Sequence, residues 1–175
     1  PYVVKIQGKV KELIAQHRSD VFDTWLEQDK ISCLPNYVLP AVISPTEFNS
    51  MVPKSLYTAE EDMNEYEFKV VWALSELGNV RWWHRNISRL GFQINGPVHA
   101  YPDIIVMLHS GKILMVETKG DHLDNDESKE KAKIGDQWAK LAGKQYKYYM
   151  VFETKQPDYP GAYSLERLME IVKEL

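Results

Sequence analysis

At 175 residues, 44% hydrophobic and 26% charged, the chain has the size and make-up of one ordinary globular domain. Its net charge of -4 argues against a simple electrostatic binder of nucleic acid, which is marked by a strongly basic domain, but not against an enzyme on nucleic acid, because an acidic metal site lowers the charge by itself. The single cysteine, Cys33, excludes an internal disulfide and a multi-cysteine zinc site and points to a reducing cytoplasmic setting, and no apolar run approaches the roughly 20 residues of a membrane span.

The chain opens on Pro1 rather than methionine and is expected to be a piece of something longer. Residues 2–6 read as a strand, and 8–17 as a helix through Val10, Leu13 and Ile14. Ser19 or Asp20 caps a short helix carrying Val21, Phe22, Trp25 and Leu26. Pro35, Pro40, Pro45 and Pro53 then punctuate an extended, packed connection. Thr58-Ala59-Glu60-Glu61 has the capping-box pattern, which begins a helix running to Leu77, with Gly78 and Asn79 as its stop. Strands are expected over 80–85, 103–108, 112–119 and 146–152, with 92–94 as a further candidate. A helix spans 128–142, started by Asp126 or Ser128 and ended by Gly143. Ser164 caps a last helix with the apolar set Leu165, Leu168, Met169, Val172 and Leu175. Strands interleaved with helices make the chain α/β, or α+β with a mixed sheet.

Alternation along 113–119 puts Ile113, Met115, Glu117 and Lys119 on one face, and Leu114, Val116 and Thr118 on the other. Both faces are apolar until the last turn, so this is a central strand ending in two charges that need partners when buried. A two-residue loop at Ser110-Gly111 sets Asp103 opposite Thr118, whereas a three-residue loop at His109-Ser110-Gly111 sets it opposite Glu117. Gly111 suits the left-handed last position of the longer loop, so Asp103, Glu117 and Lys119 are predicted to converge on one side of a hairpin. A third carboxylate, Glu67, falls on the apolar stripe of Met63, Val70, Leu74 and Leu77. It either faces a metal site at the sheet edge, or is a marginal glutamate snorkelling to solvent or bonded to Arg81 or Arg85. Two or three carboxylates with a lysine form a hard-oxygen site suited to Mg²⁺, with Mn²⁺ as substitute. A metal there deprotonates a water and neutralises phosphate charge. Lys119 orients that water, helps deprotonate it, or stabilises the phosphate, and the whole suits phosphodiester hydrolysis.

Pro102-Asp103, thirteen intervening residues, then Glu117-Thr118-Lys119 resembles the PD-(D/E)XK nuclease superfamily. More specifically, Met63-Asn64-Glu65-Tyr66-Glu67, Trp82-Trp83-His84-Arg85-Asn86, Tyr101-Pro102-Asp103 and Glu117-Thr118-Lys119-Gly120-Asp121-His122-Leu123 look like the C-terminal endonuclease domain of the Res subunit of Type III restriction enzymes. The resemblance spans roughly residues 50–155. It implies a restriction-endonuclease-like fold, a mixed central sheet flanked by helices. It also implies that Asp103 and Glu117 bind the metal with the main-chain carbonyl of Thr118 nearby, that Lys119 acts on the water, and that Glu67 is the helix carboxylate of the site. In that family the domain follows an ATP-driven helicase motor. Ser110-Gly111-Lys112 is not a phosphate loop, because Val106 stands where such a loop has its first glycine, so this piece is expected to cut without hydrolysing ATP.

Lys133, Gln137, Lys140 and Lys144 share one helix face beside a stripe of Ile134, Trp138 and Leu141 predicted to be buried. The face is either a DNA-tracking surface or a solvated one, with Lys133 and Gln137 the stronger DNA-binding candidates. Gln137 resembles the helix glutamine of RecB-like relatives, although Leu141 replaces the tyrosine that usually follows it. Arg85 and His84 are candidate DNA contacts at a strand end, the alternative for Arg85 being an ion pair with Glu67 or a neighbouring acid. Trp82 and Trp83 point to opposite faces and are expected in the core on both sides. Cys33 is read as a small buried residue.

The expected organisation is an N-terminal extension over 1–57 packed on a nuclease domain over 58–175. The expected function is a Mg²⁺-dependent endonuclease acting on duplex DNA, with a helicase motor in the same chain and a methyltransferase or specificity subunit as partner. The alternative is a nuclease-fold module that binds DNA or a partner subunit without cutting. A third reading, a repair nuclease of the same superfamily, shares the site but not those partners.

Overall fold

A computed structural model of the chain describes residues 2–47 and 52–175. Residues 1 and 48–51 lie outside the described residues, so the connection expected across the four prolines is seen only in part. Its visible portion, 30–47, has no regular structure and packs Cys33 and Tyr37 against the domain, as an extended, packed connection should.

Helix α1 (Tyr2–Glu27) is one continuous element, not a strand followed by two helices. Ser19 and Asp20 lie in its interior rather than at a cap. No residue of α1 is buried, and Tyr2, Val3, Ile6, Val10, Leu13 and Ile14 stand exposed. Its C-terminal half is tied to the domain through Ser19 to Glu130 and Asp23 to Lys133.

Helix α2 (Glu65–Ser75) starts later than the Thr58–Glu61 pattern predicts. The capping box is built by Asn64 and Glu67 instead: the Asn64 side chain accepts from the Glu67 amide, and Glu67 accepts from the Asn64 amide, both at 2.9 Å. The reason is tertiary. Glu60 is buried and accepts from the Arg85 amide and bonds His84, so residues 58–62 cannot coil into a first turn.

Strands β1 (Val80–Arg85), β2 (Ile104–Leu108), β3 (Ile113–Lys119), β4 (Tyr146–Phe152) and β5 (Ala162–Ser164) form one five-stranded sheet in sequence order. The first three pair antiparallel and the last two join in parallel, so the sheet is mixed and β3 is its central strand. Residues 92–94 contribute only an isolated bridge from Ile94 to Ala100. Ahead of α2, Ser55 bridges to Trp83 and Val52 enters the core, so residues 52–56 form part of the sheet's flank.

Helix α3 (Asp126–Ala142) crosses between β3 and β4, capped by Asn125 rather than Asp126 or Ser128. Helix α4 (Leu165–Lys173) is capped by Ser164, as expected. The α2 and α4 side chains Val70, Val71, Leu74, Leu168 and Val172 pack one sheet face with Leu114 and Val116. The α3 side chains Ala132, Ile134 and Trp138 pack the other with Ile113 and Met115. Trp83 lies in the first cluster and Trp82 borders the second, matching the expected opposite faces. The fold is therefore mixed α/β with helices on both faces of the sheet. Among the described residues, no helix is long and apolar enough to cross a membrane.

Candidate functional site

The hairpin between β2 and β3 has the longer of the two loops. Ile104 pairs with Val116 and Met107 with Ile113, and Gly111 takes φ +82 at the turn. Continued by one residue, this register sets Asp103 across from Glu117. Topology then gathers the charged residues. The end of β1, the start of β2 and the ends of β3 and β4 all lie at one edge of the sheet, beside the N-terminus of α2. An open groove of about 730 Å³ occupies this edge, lined among others by Glu67, Asp103, Thr118, Lys119, Asp121 and Glu153.

Asp103 is held by its neighbour strand. Its Oδ2 accepts from the Thr118 amide at 2.7 Å and from the Thr118 hydroxyl at 2.8 Å. Its Oδ1 lies 3.5 Å from Arg85 Nη1, an ion-pair distance that leaves this oxygen the freer one. Glu117 is 4% exposed, and Lys119 donates to its Oε1 at 2.5 Å. Its Oε2 is buried with no hydrogen-bond partner among the described residues. Burial, with the Asp103 charge adding and Lys119 opposing, pushes the Glu117 carboxyl up to about 7. Burial pulls the Lys119 ammonium down, but the charge and hydrogen bond of Glu117, with Asp103, outweigh it and leave Lys119 above its ordinary value. Lys119 therefore stays protonated.

Glu67 is buried with both oxygens engaged, Oε2 with the Asn64 amide and Oε1 with Arg85 Nη2 at 2.9 Å. Burial raises its carboxyl, against the opposing Arg85 charge. Of the two expectations for Glu67, the Arg85 ion pair is present, and the same residue also lines the groove. Arg85 accordingly faces Glu67 and Asp103.

Three predicted DNA contacts do not reach this groove. His84 is 3% exposed, bonded through Nδ1 to Glu60 and packed edge-on to Tyr57, so it braces the core. Lys133 is paired with Asp23 of α1, and Gln137 lines a separate cavity with Phe22, Cys33 and Trp138. The α3 stripe is also corrected: Leu141 is exposed, and Gly135, set against the Tyr148 ring, takes part in the buried face. Cys33 is only partly buried.

Four residues escaped the sequence reading. Glu60 anchors the end of β1, and nothing local marks it for that task. Asn86 is buried and bonds the carbonyls of Phe92 and Pro102, which aims the chain into Asp103. Its place immediately after a strand, before a loop closed by Gly91, was an available signal. Asp121 accepts from the Thr154 hydroxyl and from the Thr154 and Lys155 amides, knitting together the loops after β3 and β4. Tyr66 borders the groove with a buried hydroxyl that has no hydrogen-bond partner among the described residues.

The donor set fits a hard cation. Asp103 Oδ1 and Glu117 Oε2 carry no close hydrogen bond from the described residues, and the Thr118 carbonyl lies on the chain between Glu117 and Lys119. Among the described residues, no group of three or more His, Cys, Asp or Glu forms a ready-made cage. Two carboxylates and a carbonyl suit an ion that keeps several waters, as Mg²⁺ does. Comparison with known protein families, characterised proteins and solved structures gives no match.

Proposed function

We propose that the chain is a Mg²⁺-dependent endonuclease domain that hydrolyses phosphodiester bonds of duplex DNA, with a restriction-endonuclease-like fold and a place in a Type III-like restriction enzyme. The observation that carries this reading is that Lys119 bonds Glu117 at the end of the central strand, near enough to Asp103 for its charge to act on both, with a buried Glu117 oxygen that has no hydrogen-bond partner among the described residues. An orphaned buried carboxylate oxygen is costly to maintain unless a cation or proton completes it.

Asp103, Glu117 and the Thr118 carbonyl would hold the metal. When bound, Mg²⁺ lowers the pKa of water and neutralises charge building on the phosphate. Hydrolysis forms one P–O bond from water and breaks the bond to the leaving oxygen, which takes up a proton. Lys119 is protonated beside Glu117, which supports a donor role: its ammonium orients the attacking water and stabilises the negative charge of the phosphate. Thr118 fixes one Asp103 oxygen and leaves the other without a hydrogen bond from the described residues. The four sequence blocks shared with the Res endonuclease domain support duplex DNA as substrate, and with it a helicase motor and a methyltransferase or specificity subunit as partners.

A second reading, a binding module that does not cut, is favoured by the internal pairing of Lys119 with Glu117 and Arg85 with Glu67. A plasmid-cleavage assay with Mg²⁺ or Mn²⁺ separates the two. The wild-type chain is expected to cut, and Lys119→Ala to bind duplex DNA without cutting. A Lys119→Ala variant that cuts as the wild type does overturns the mechanism, and a wild-type chain that binds but never cuts favours the binding module.

A further inference from the structure

On the α2 side of the groove the structure shows one of the expected alternatives, the ion pair of Glu67 with Arg85. Both Glu67 oxygens already carry a hydrogen bond: the capping box takes Oε2 and Arg85 takes Oε1. Arg85 in turn is not free for a phosphate. Its Nη2 donates to Glu67, while its Nη1 donates to the Asp103 carbonyl at 2.9 Å and to the Asn86 carbonyl at 3.3 Å, and faces Asp103 Oδ1 at 3.5 Å. Swinging the guanidinium out to a DNA phosphate would leave the buried Glu67 carboxylate unpaired, which is a heavily disfavoured state. The planar fork thus joins the helix carboxylate to both the backbone and the side chain of Asp103.

We propose that Glu67 and Arg85 form a positioning relay for Asp103, in which Glu67 acts through the guanidinium and not on the metal. This inference rests on the nuclease reading of the site. The relay runs from the cap of α2, through Glu67 and Arg85, to Asp103. On the far side Thr118 grips Asp103 Oδ2, so the carboxylate is braced from two elements. The two oxygens of Asp103 are thereby held between Thr118 and Arg85 before any ligand arrives. Partners of this kind, one bond removed from a metal-binding oxygen, usually change affinity by about ten- to a hundredfold when removed.

The test is a double-mutant cycle read by Mn²⁺ calorimetry with a duplex oligonucleotide present. The proteins are wild type, Glu67→Gln, Arg85→Gln, the double variant and Glu117→Ala as control. Glu67→Gln keeps an oxygen for the Asn64 amide, so the helix cap survives while the Arg85 bond is lost, and circular dichroism checks the fold. Each single variant is expected to weaken Mn²⁺ binding about tenfold, and the double variant no further than Arg85→Gln alone. Arg85→Lys is expected not to restore binding, because a single ammonium cannot span Glu67 and Asp103. Losses that multiply in the double variant would make Glu67 an independent ligand and overturn the relay. Normal Mn²⁺ binding by Arg85→Gln with weakened duplex binding would return Arg85 to the phosphate. If Glu117→Ala loses Mn²⁺ while the Glu67 and Arg85 variants match wild type, the relay alone fails. If wild type binds no Mn²⁺, the nuclease reading fails and takes the relay with it.

Discussion

Thr118 donates both its amide and its hydroxyl to the same oxygen of Asp103, at 2.7 and 2.8 Å. A threonine at the end of the central strand thereby fixes one Asp103 oxygen and leaves Oδ1 without a hydrogen bond from the described residues. Hydrogen bonds to a charged acceptor contribute about 1.5–3 kcal/mol each. Thr118→Val keeps the amide bond and the shape and removes one of the two. It is expected to lower unfolding stability by about 1–2 kcal/mol and to weaken Mn²⁺ binding, read by urea unfolding and titration. Unchanged values in both would mean the hydroxyl does not orient Asp103.

The turn of the hairpin offers a separate test of what sets the register. Gly111 sits at φ +82 with open space around its Cα, so an added methyl meets no neighbour and only the backbone conformation is strained. Gly111→Ala is expected to cost about 1 kcal/mol of stability and to leave the groove residues in register. Gly111→Asn, which tolerates the left-handed region better, should cost less. Equal stability of wild type and the alanine variant in urea would contradict the assigned turn.

Gly135 sets two effects against each other. Alanine is favoured over glycine inside a helix by about 1 kcal/mol. A Cβ at 135, however, would lie 2.3 Å from the ring of Tyr148, which is buried and cannot yield. Overpacking costs about 1–3 kcal/mol, so Gly135→Ala is expected to destabilise despite the gain in propensity. A higher midpoint for the variant in thermal unfolding would show that the ring moves.

These residues also show where the sequence was readable. The register of β2 and β3 followed from two apolar runs and one glycine, since a single-residue slip would have turned Glu117 away from Asp103. The caps at Ser164 and Gly143 are local chemistry and were found locally. Long-range partners were not. Thr58–Glu61 and Asn64–Glu67 carry the same spacing, and contacts made elsewhere, Glu60 with His84 and the Arg85 amide and Glu61 with Thr46, choose between them. The sequence suggests a strand over 2–6, a helix over 8–17 and a cap at Ser19 or Asp20, yet a long helix absorbs a glycine and a serine at modest cost once nucleated. Strand β5 has three residues, too few for alternation to show. For Arg85 the sequence leaves a DNA phosphate and an ion pair with Glu67 both open, and the choice depends on contacts with Glu67 and Asp103 from two other elements.

The buried Glu117 gives the metal-free chain a pH dependence of definite sign. Its carboxyl rises from an ordinary 4.5 to about 7 on folding, chiefly through burial. A group raised in this way binds its proton more tightly in the folded chain. Its stabilisation is full below the unfolded value and is lost as pH rises through the folded value. About 3 kcal/mol should be lost across this window, and Glu117→Gln should flatten that part of the profile. Urea unfolding in chelator between pH 5 and 8 reads it. Parallel profiles for the two proteins would place the Glu117 proton elsewhere.

The most direct measurement of the central claim is a calorimetric Mn²⁺ titration of the whole chain with a duplex oligonucleotide present, wild type against Glu117→Ala. The account predicts saturable binding by the wild type that disappears in the variant, because Glu117 Oε2 is the buried oxygen left for the ion. Equal binding by both proteins, or none by the wild type, would contradict it.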